Sequence, residues 1–411
     1  MNGRRRPPAV AVTGIGLLTP AGIGVEANWS RLVAGRSCAT ADETLRDGPV
    51  RITCRVPGYD PDAELGGFRA RQLDRFTQLA ISAARAAAAD AGWDPRAWEP
   101  ARVGVVLGNS LGGAATFAAQ HHVLQDEGAQ RVSPLLIPSF MVNMVAGQVA
   151  LDLGAQGPSQ VVATACASGA TAVGAARDLL RSGACDIVLA GACESALTPL
   201  VLAGLYRMGA LARGGGEPAD VMRPFDADRD GFVAAEGAAV LVLERLEDAR
   251  ARDARIRAVV RGYGAASDAY HSTAPHPQGR GIEEALRAAL ADAEVSGSEV
   301  DHVNAHGTST KLNDVTEGRV LARVLGDRPV VTSTKGVTGH ALAAAGAMEA
   351  AYTALALQRQ CVPPTANLTR LDEELTIDVV HGTARPARLD VAVSTSLGFG
   401  GHNAALVLTA H

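Results

Sequence analysis

The sequence lacks any segment that would place the chain in a membrane or direct it out of the cell. No apolar run reaches the roughly 20 residues that a membrane-spanning helix needs. The arginines at positions 4–6 are followed by Pro7 and Pro8, not by the long apolar region and small-residue cleavage site of an export signal. We therefore expect no membrane association and a cytoplasmic location.

Charge and cysteine patterns argue against several kinds of binding site. The 38 basic and 43 acidic residues give a net charge of −5, and the arginines are scattered, unlike the basic stripe of a nucleic-acid-binding protein. The six cysteines form no CxxC pair, and His121 and His122 have no ligand cluster near them, so neither a metal site nor a disulfide framework is expected. The GIG at Gly14 lacks the rest of a dinucleotide fingerprint, so no nucleotide cofactor is predicted.

What the sequence does contain is a regular alternation of Val- and Ala-rich strands with Ala-rich helices. Its 411 residues are 47% hydrophobic, which is enough for a large core. Strand-like runs such as AVAVTGIG and DIVLAGA alternate with helical stretches such as LDRFTQLAISAARAAAADAG and GIEEALRAALADAEV. The alternation predicts an α/β fold of βαβ units with largely buried sheets.

A weak internal repeat divides the chain into two halves. In the first half, RVGVVLGNS, SQVVATACASGATAVGAA and DIVLAGACES run strand and loop, strand and small-residue helix, strand and turn. VDHVNAHGTS, PVVTSTKGVTGHALAAAGAMEAA and VAVSTSLGFGG repeat that order in the second half. We predict halves of residues 1–255 and 256–411, joined near residues 247–257, with chance similarity among Ala-rich segments as the alternative.

Cys166 is the strongest candidate for a reactive group. The apolar stretch from Val161 ends on it and a small-residue helix begins there, and the N terminus of a helix favours thiolate over thiol. His306, Lys335 and His340 also follow strand-like runs. Because parallel α/β sheets gather strand ends around one crevice, we expect these four side chains to converge.

Seven motifs occur in the order found in one enzyme family. They are TACASG, RPFDADRDGFVAAEGA, SDAYHSTAP, NAHGTSTKLND, STKGVTGHALAAAGAMEA, VPPTANL and SLGFGGHN. In these segments the chain resembles β-ketoacyl-acyl carrier protein synthases of the elongating class, from TGIG to its last residues. The resemblance implies a thiolase-like fold, in which two duplicated α/β halves form a five-layer αβαβα sandwich. It also implies a dimer, either of two copies or with a related ketosynthase-like subunit.

The implied reaction is the decarboxylative Claisen condensation of an acyl group on Cys166 with a malonyl group on acyl carrier protein. A cysteine can accept the acyl group and later leave, and the backbone N–H groups of Cys166 and Phe399 would form the oxyanion hole. His306 and His340 would stabilise the enolate, and a His at position 340 instead of Asn points to elongation rather than initiation. No cofactor is implied, since the phosphopantetheine of the carrier protein holds the substrates.

The resemblance assigns supporting roles as well. Lys335 is expected to pair with Glu349, and Asp314 and Glu317 to join that network, because a buried ammonium needs partners. Purely structural ion pairing is the alternative, chiefly for the three acids.

Further residues are expected to contact the substrate. Thr308 and Thr310 would hydrogen-bond the pantetheine arm, although a loop Thr is more often a turn residue. Phe399, which lies among glycines, resembles the family's gate between the entry channel and the acyl pocket.

The predicted acyl pocket departs from the fatty-acid pattern. Leu111 and Leu136 stand where the family varies its pocket lining, and Ile137 resembles a residue that reaches in from the dimer partner. Many fatty-acid enzymes have an aromatic residue at the position of Leu136, Leu397 replaces a common Phe, and GGHN replaces GGTN. These departures favour a specialised polyketide or polyene synthase over fatty-acid elongation.

Two other classes of function are compatible with a ketosynthase-like chain. A non-catalytic, chain-length-setting subunit would not need Cys166, His306 and His340, so their presence argues against it. A thiolase would use a second cysteine near a late Gly-rich turn, and GFGGHN has none. A Cys/His acyl hydrolase is disfavoured by the family resemblance alone.

Overall fold

The structure is a computed structural model that describes residues 8–46, 48–94, 98–214 and 216–411. The strands are β1 (Val10–Thr19), β2 (Gly22–Ile23), β3 (Thr40–Ala41), β4 (Ile52–Thr53), β5 (Val103–Gly108), β6 (Ser159–Val162), β7 (Ile187–Glu194), β8 (Gly237–Arg245), β9 (Ala258–Ser267), β10 (His302–Asn304), β11 (Val330–Thr332), β12 (Cys361–Val362), β13 (Asp378–Val379), β14 (Arg385–Pro386), β15 (Val391–Gly398) and β16 (His402–Thr409).

The α-helices are α1 (Val25–Val33), α2 (Pro61–Leu65), α3 (Gly67–Ala70), α4 (Arg75–Asp90), α5 (Ala114–Glu127), α6 (Leu136–Phe140), α7 (Met144–Leu153), α8 (Ser168–Arg181), α9 (Pro199–Arg207), α10 (Leu246–Ala251), α11 (Arg280–Ala293), α12 (Lys311–Leu325), α13 (Lys335–Thr338) and α14 (Ala345–Arg359). No helix within the described ranges is long and apolar enough to cross a membrane. The arginines at positions 4–6, used above to argue against export, lie outside those ranges.

The sheet consists of two five-stranded units with the same strand order. The first runs β6-β5-β7-β8-β1 and the second runs β11-β10-β15-β16-β9, with β13 added outside β11. Each unit has four pairs of neighbouring strands, of which the first two are parallel and the last two antiparallel. In the first unit β5/β6 and β5/β7 are parallel, and β7/β8 and β1/β8 are antiparallel. In the second unit β10/β11 and β10/β15 are parallel, and β15/β16 and β9/β16 are antiparallel. The predicted duplication is therefore confirmed.

Local details repeat along with the strand order. Thr13 forms a bulge in β1, where Val12 and Gly14 pair with consecutive residues of β8, and the pairing of β9 with β16 skips one residue at the same place. Just after each bulge, the carboxylate of a helix residue accepts a hydrogen bond from a strand amide. Asp90 accepts from the Ile15 amide at 2.8 Å in the first half, and Asp292 accepts from the Tyr263 amide at 3.0 Å in the second. Chance similarity does not produce such matching irregularities.

The two units form the five layers that the resemblance implies. Helices α4 and α7 cover the outer face of the first unit, α8 and α14 lie between the units, and α11 and α12 cover the outer face of the second. Three apolar clusters fill the spaces: an outer one under α4 and α7, a central one around α8 and α14, and an outer one under α11 and α12. Antiparallel pairing of β1 with β9, with three residue pairs in register, joins the units edge to edge.

Close contact between α8 and α14 brings the two halves together beneath the predicted nucleophile. A Cβ on Gly169 would lie 2.3 Å from the amide nitrogen of Ala347, and a Cβ on Gly346 would lie 2.7 Å from that of Ala170. The two helices can therefore approach this closely only because glycine occupies both crossing positions. The contact fixes the start of α8, and with it Cys166, against the second half.

The segment that connects the two halves contains α10. Helix α10 follows β8, and β9 begins at Ala258, so the predicted division at residues 255 and 256 falls in the connecting segment.

The sequence analysis missed β16, which lies between β15 and β9. Only three residues separate β15 from β16, and the Gly-rich motif there was read as a turn that ends the repeat.

Candidate active site

Cys166 lies in a tight turn between β6 and α8. Ala165, in a short 3-10 turn, has a φ of 49°, in the left-handed region that residues with a Cβ seldom adopt. The Ser168 hydroxyl donates to the carbonyl of Ala165 at 2.6 Å and accepts from the amide of Thr164 at 2.9 Å, which stabilises the turn. Leu342 has the same φ in the turn before α14, so both repeats share the geometry, and only the first places a thiol in it.

The structure brings the four chemistry-bearing side chains to one cavity of about 530 Å³. Cys166, His306 and His340 line the cavity, together with Phe399. Lys335 lies behind His306 and contacts it through its ammonium group. Each follows or adjoins a strand end, which is why residues from both halves meet here.

Burial dominates the electrostatics of the Cys166 thiol. It raises the pKa of Cys166 to about 12, although the charge of Lys335 and a hydrogen bond from the Phe399 amide act in the opposite direction. Burial therefore outweighs the effect of the helix N terminus, contrary to the expectation of a favoured thiolate. The helix contributes partial charges, whereas removing a full negative charge from water costs more.

This pKa predicts the pH dependence of alkylation. Below pH 12 the thiolate fraction grows tenfold per pH unit, so the alkylation rate of Cys166 by iodoacetamide should rise about tenfold per unit between pH 7 and 9, without a plateau. Peptide mass spectrometry can follow Cys166 separately from the half-buried Cys361, which serves as an internal comparison. A rate that is already constant at pH 7 would show a resident thiolate and contradict the prediction.

The Phe399 amide and the Cys166 amide lie at the same end of the cavity. The Phe399 N–H donates to the thiol of Cys166, as noted above. Next to it, Gly398 approaches so closely that a Cβ there would lie 2.5 Å from the Thr164 carbonyl oxygen and 3.1 Å from the Cys166 amide nitrogen. Two backbone donors beside the sulfur are the arrangement that an oxyanion formed on an acyl group at Cys166 requires.

The two imidazoles face one another and are uncharged. The ring centroids of His306 and His340 are 5.3 Å apart, with the rings nearly perpendicular. Burial and the nearby Lys335 charge lower both pKa values well below the usual value. Lys335 donates to Nδ1 of His306 at 3.2 Å, which leaves Nε2 as the protonated nitrogen of that ring. Neutral imidazoles can therefore donate hydrogen bonds to a developing oxyanion.

Lys335 and Glu349 form a buried ion pair behind His306. Burial raises the pKa of Glu349 to about 7, and Lys335 opposes that shift. Both side chains are almost inaccessible to water, so each charge depends on the other. The pair fixes the orientation and the tautomer of His306 through the Lys335 ammonium.

Glu317 and Asp314 hold two different loops and are linked to each other by Asn313, whose side-chain amide donates to Asp314 at 3.1 Å and to Glu317 at 3.4 Å. Glu317 accepts from the amides of His306 and Gly307, both at 2.8 Å, and so holds the His306 loop. Asp314 instead accepts from the Phe225 amide at 2.8 Å and pairs with Arg229 at 3.4 Å. One helical turn separates the two acids on α12, so Asp314 reaches a different loop. In the described part of the chain it has no contact with Lys335.

The predicted pantetheine contacts lie on the cavity wall. Thr308 and Thr310 line the cavity, and their hydroxyls are 2.9 Å apart. Thr310 directly precedes α12. Both hydroxyls are therefore available along the path to Cys166.

The predicted acyl-pocket residues lie elsewhere on the single chain. None of Leu111, Leu136 and Ile137 lines the cavity as the described residues define it. Leu111 is 43% exposed and Ile137 is 56% exposed, on the same surface as Phe117. On the single chain these side chains therefore do not form an acyl pocket.

Sequence reasoning missed two residues that support the site. Phe232 packs edge-on against His340, with centroids 4.9 Å apart. Arg229 is fully buried and donates to the backbone carbonyls of Thr310 and Lys311 at 3.3 and 3.1 Å. Both lie in the motif RPFDADRDGFVAAEGA, whose charged run looks like a solvated loop. An arginine between two aspartates was the signal in that motif that could have indicated a buried, paired side chain.

Comparison with known families decides what this arrangement is. The family model "Beta-ketoacyl synthase, N-terminal domain" matches residues 8–249, and "Beta-ketoacyl synthase, C-terminal domain" matches residues 257–369. The chain belongs to the β-ketoacyl synthase family. The resemblance seen in the sequence is thereby confirmed, and with it the assignment to the acyltransferases.

Relatives of this β-ketoacyl synthase match it along nearly their whole length. A 3-oxoacyl-[acyl-carrier-protein] synthase 2 of Rhizobium meliloti is 41% identical over 97% of this chain and 98% of its own. The structure of the ishigamide ketosynthase/chain length factor superposes with a TM-score of 0.93 at 35% identity, covering 98% of this chain and 100% of that one. A type II polyketide ketosynthase solved with its acyl-carrier protein and a hexaketide gives 0.90 at 31% identity, covering 99% and 100%.

Proposed function

We propose that this β-ketoacyl synthase elongates acyl chains held by an acyl carrier protein, with Cys166 as acyl acceptor and His306 and His340 as enolate stabilisers. The observation that carries the proposal is that all three side chains line a single cavity. A thiol alone would serve many acyl transfers. Two neutral imidazoles opposite it add what decarboxylative condensation needs.

In the first half-reaction the Cys166 sulfur attacks the carbonyl carbon of an acyl thioester. The tetrahedral oxyanion accepts hydrogen bonds from the amides of Cys166 and Phe399. When it collapses, the bond to the carrier sulfur breaks, and the carrier thiol leaves with the proton that Cys166 gives up. The acyl group stays on the enzyme while a second carrier enters.

In the second half-reaction malonyl thioester replaces the first carrier. Its carboxylate leaves as carbon dioxide, and the electron pair of the broken bond forms an enolate whose oxygen accepts from His306 and His340. The enolate carbon then attacks the acyl carbonyl on Cys166. The Cys166 sulfur departs, and a β-ketoacyl chain longer by two carbons remains on the carrier.

Other activities fit the site less well. A chain-length-setting subunit would make no use of the Lys335 contact that fixes the His306 tautomer. A thiolase would need a second cysteine, and no other cysteine lines the cavity formed by the described residues. A hydrolase would release a free acid instead of a β-ketoacyl product, and the test below distinguishes the two.

The carrier protein as partner and the absence of a cofactor belong to the same proposal. One related ketosynthase was solved with its acyl-carrier protein, and another with its chain length factor. Carrier-bound thioesters supply every reacting atom in the scheme above, so the chain itself needs no cofactor. A cytoplasmic location, where such carriers are charged, remains a prediction.

We further propose that the surface around Leu111, Phe117 and Ile137 binds a second ketosynthase-like subunit. Helix α5 has no buried residue, and Phe117 on it is 52% exposed while stacking on Phe140 at 5.4 Å. The edge strand β6 lies on one side of β5 with its other edge unpaired in the described chain. Exposed apolar area of this kind marks a subunit interface, and a partner would enclose the acyl pocket.

Sedimentation tests this interface. Ile137→Asp should reduce the dimer to monomers at micromolar concentration, because a carboxylate would be buried without a partner. Ile23→Asp, at a residue 45% exposed on β2, is the matched control and should leave the dimer intact. If the wild type alone is a monomer, the same substitution should block assembly with a homologous subunit. A dimer insensitive to Ile137→Asp would contradict the proposal.

The activity itself is tested by product analysis. Acyl carrier proteins of graded chain length and malonyl carrier protein should give β-ketoacyl carrier and carbon dioxide in equal amounts. Free acid without carbon dioxide would show a hydrolase and contradict the proposal. The chain lengths accepted would also decide between fatty-acid elongation and the polyketide or polyene pathway that the sequence of the pocket favours.

A further inference from the structure

The mouth of the active-site cavity has two cations that the reaction scheme does not use. Lys311 and Arg213 line the cavity, and both are exposed. In the part of the chain that the structure describes, neither side chain forms an ion pair. Two unpaired positive charges at one opening attract an anion.

Lys311 is unusual in this chain because lysine is so rare in it. Of the 38 basic residues, Lys311 and Lys335 are the only lysines, which leaves 36 arginines. Lys335 contacts His306, so both lysines belong to the same site. Lys311 is the first residue of α12, where a cation opposes the helix dipole and gains nothing for helix stability. Its charge therefore does not serve the stability of the helix.

The acids near the mouth do not cancel these charges. Asp230 lines the cavity and accepts from the Arg213 amide at 3.2 Å. Asp268 also lines it, but its oxygens accept from the amides of His276 and Gly281 and from a side-chain amide. Both carboxylates are therefore engaged by backbone donors. The charge of Asp372 interacts with that of Lys311, but Asp372 pairs with Arg229 at 2.6 Å, so Lys311 forms no direct ion pair among the described residues.

We propose that Lys311, assisted by Arg213, binds the phosphate of the phosphopantetheine arm at the mouth of the cavity. The inference rests on the proposed function. A phosphopantetheine thioester has its reacting sulfur at one end, amides along its length and a phosphate at the other end. The cavity offers matching groups: Cys166 in its buried part, the hydroxyls of Thr308 and Thr310 on its wall, and the exposed cations. An ammonium is a compact charge well suited to a phosphate oxygen.

The test compares acyl-4′-phosphopantetheine with acyl-pantetheine, two thioesters that differ only in the phosphate and need no carrier protein. Loading of Cys166 is followed by intact mass, and the half-saturating concentration is measured for each. The wild type should require about tenfold less of the phosphorylated thioester, the effect of one charge-assisted hydrogen bond. Added salt should reduce this preference, because the cations are exposed.

Substitutions assign the preference to Lys311. Lys311→Met should bring the ratio of the two half-saturating concentrations close to one, and Arg213→Ala should reduce it partly. Lys311→Arg should restore most of it, since the charge is retained. Arg388→Ala, which removes an arginine with an 86% exposed side chain that does not line the cavity, should leave the ratio as in the wild type.

Three results would overturn the proposal. Equal half-saturating concentrations in the wild type would show that the phosphate is not bound. A Lys311→Met variant that weakens loading by both thioesters equally would show that Lys311 shapes the cavity and does not recognise phosphate. Failure of the wild type to load from either thioester would overturn the proposed function, and the phosphate site with it.

Discussion

Cys166→Ala is expected to abolish acylation of the protein. The substitution removes the sulfur that accepts the acyl group, and no other nucleophile of comparable reactivity lines the cavity formed by the described residues. Incubation with an acyl carrier protein should therefore give the mass of the acylated chain for the wild type and only the unmodified mass for the variant. Condensation should fall by at least about 10³-fold, since the covalent intermediate cannot form.

A second cysteine provides the control for this experiment. Cys193 is fully buried at the end of β7 and lies outside the cavity, so Cys193→Ala should load like the wild type once folding has been checked by thermal unfolding. An acyl increment on Cys166→Ala would place the acyl group on another residue. Peptide mapping would then locate that residue, and the assignment of Cys166 as acceptor would be wrong.

His306→Ala and His340→Ala should separate the two half-reactions. Each removes a hydrogen-bond donor that the enolate oxygen requires, and losing one such donor costs about 10²- to 10³-fold in rate. The amides of Cys166 and Phe399, which serve acyl transfer, remain in both variants. We therefore expect acyl loading to persist while decarboxylation of malonyl carrier protein and formation of product fall together.

Measuring loading and carbon dioxide release on the same sample makes this prediction strict. Retained loading shows that the variant is folded and that its cavity is open, so a structural defect cannot explain the loss of condensation. Condensation at the wild-type rate in the His306→Ala, His340→Ala double variant would contradict the role of the imidazoles. Loss of loading in either single variant would show that the ring acts on the first half-reaction.

Most of the fold was predictable, because apolar periodicity and the internal repeat indicate most of its strands and helices. Val- and Ala-rich runs indicated β1 and the strands of the repeated triplets, which correspond to β5, β6 and β7 and to β10, β11 and β15. Strand β16 was missed because the turn before it is so short that the glycine motif masked the start of a new strand. The pairing of β1 with β9 could not be foreseen, since register between distant edge strands leaves no local signal.

The convergence of the site residues was predictable, because each of them follows the end of a strand. Cys166 and His340 follow β6 and β11, which correspond in the two halves, and His306 follows β10, the neighbour of β11, so the three side chains meet at one cavity. The thiol pKa was misjudged, because sequence indicates a helix N terminus but not the depth of burial. The pairing of Asp314 with Arg229 could not be foreseen for a similar reason, because Arg229 comes from a segment far away in the sequence.

The acyl pocket marks the limit of what one chain can reveal. Leu111 and Ile137 are exposed on the single chain, and both belong to the surface that we propose binds a second subunit. A sequence contains no direct record of that surface. Assembly and selectivity therefore have to be measured together.

The most direct test of the account is a two-step intact-mass measurement on the wild-type protein. Acyl carrier protein is added first and removed, and malonyl carrier protein is then added. We expect a mass increment of one acyl group that maps to Cys166 and persists in buffer. It should disappear on addition of malonyl carrier protein as β-ketoacyl carrier appears. An increment that decays at the same rate without malonyl carrier protein, with free acid as product, would contradict it.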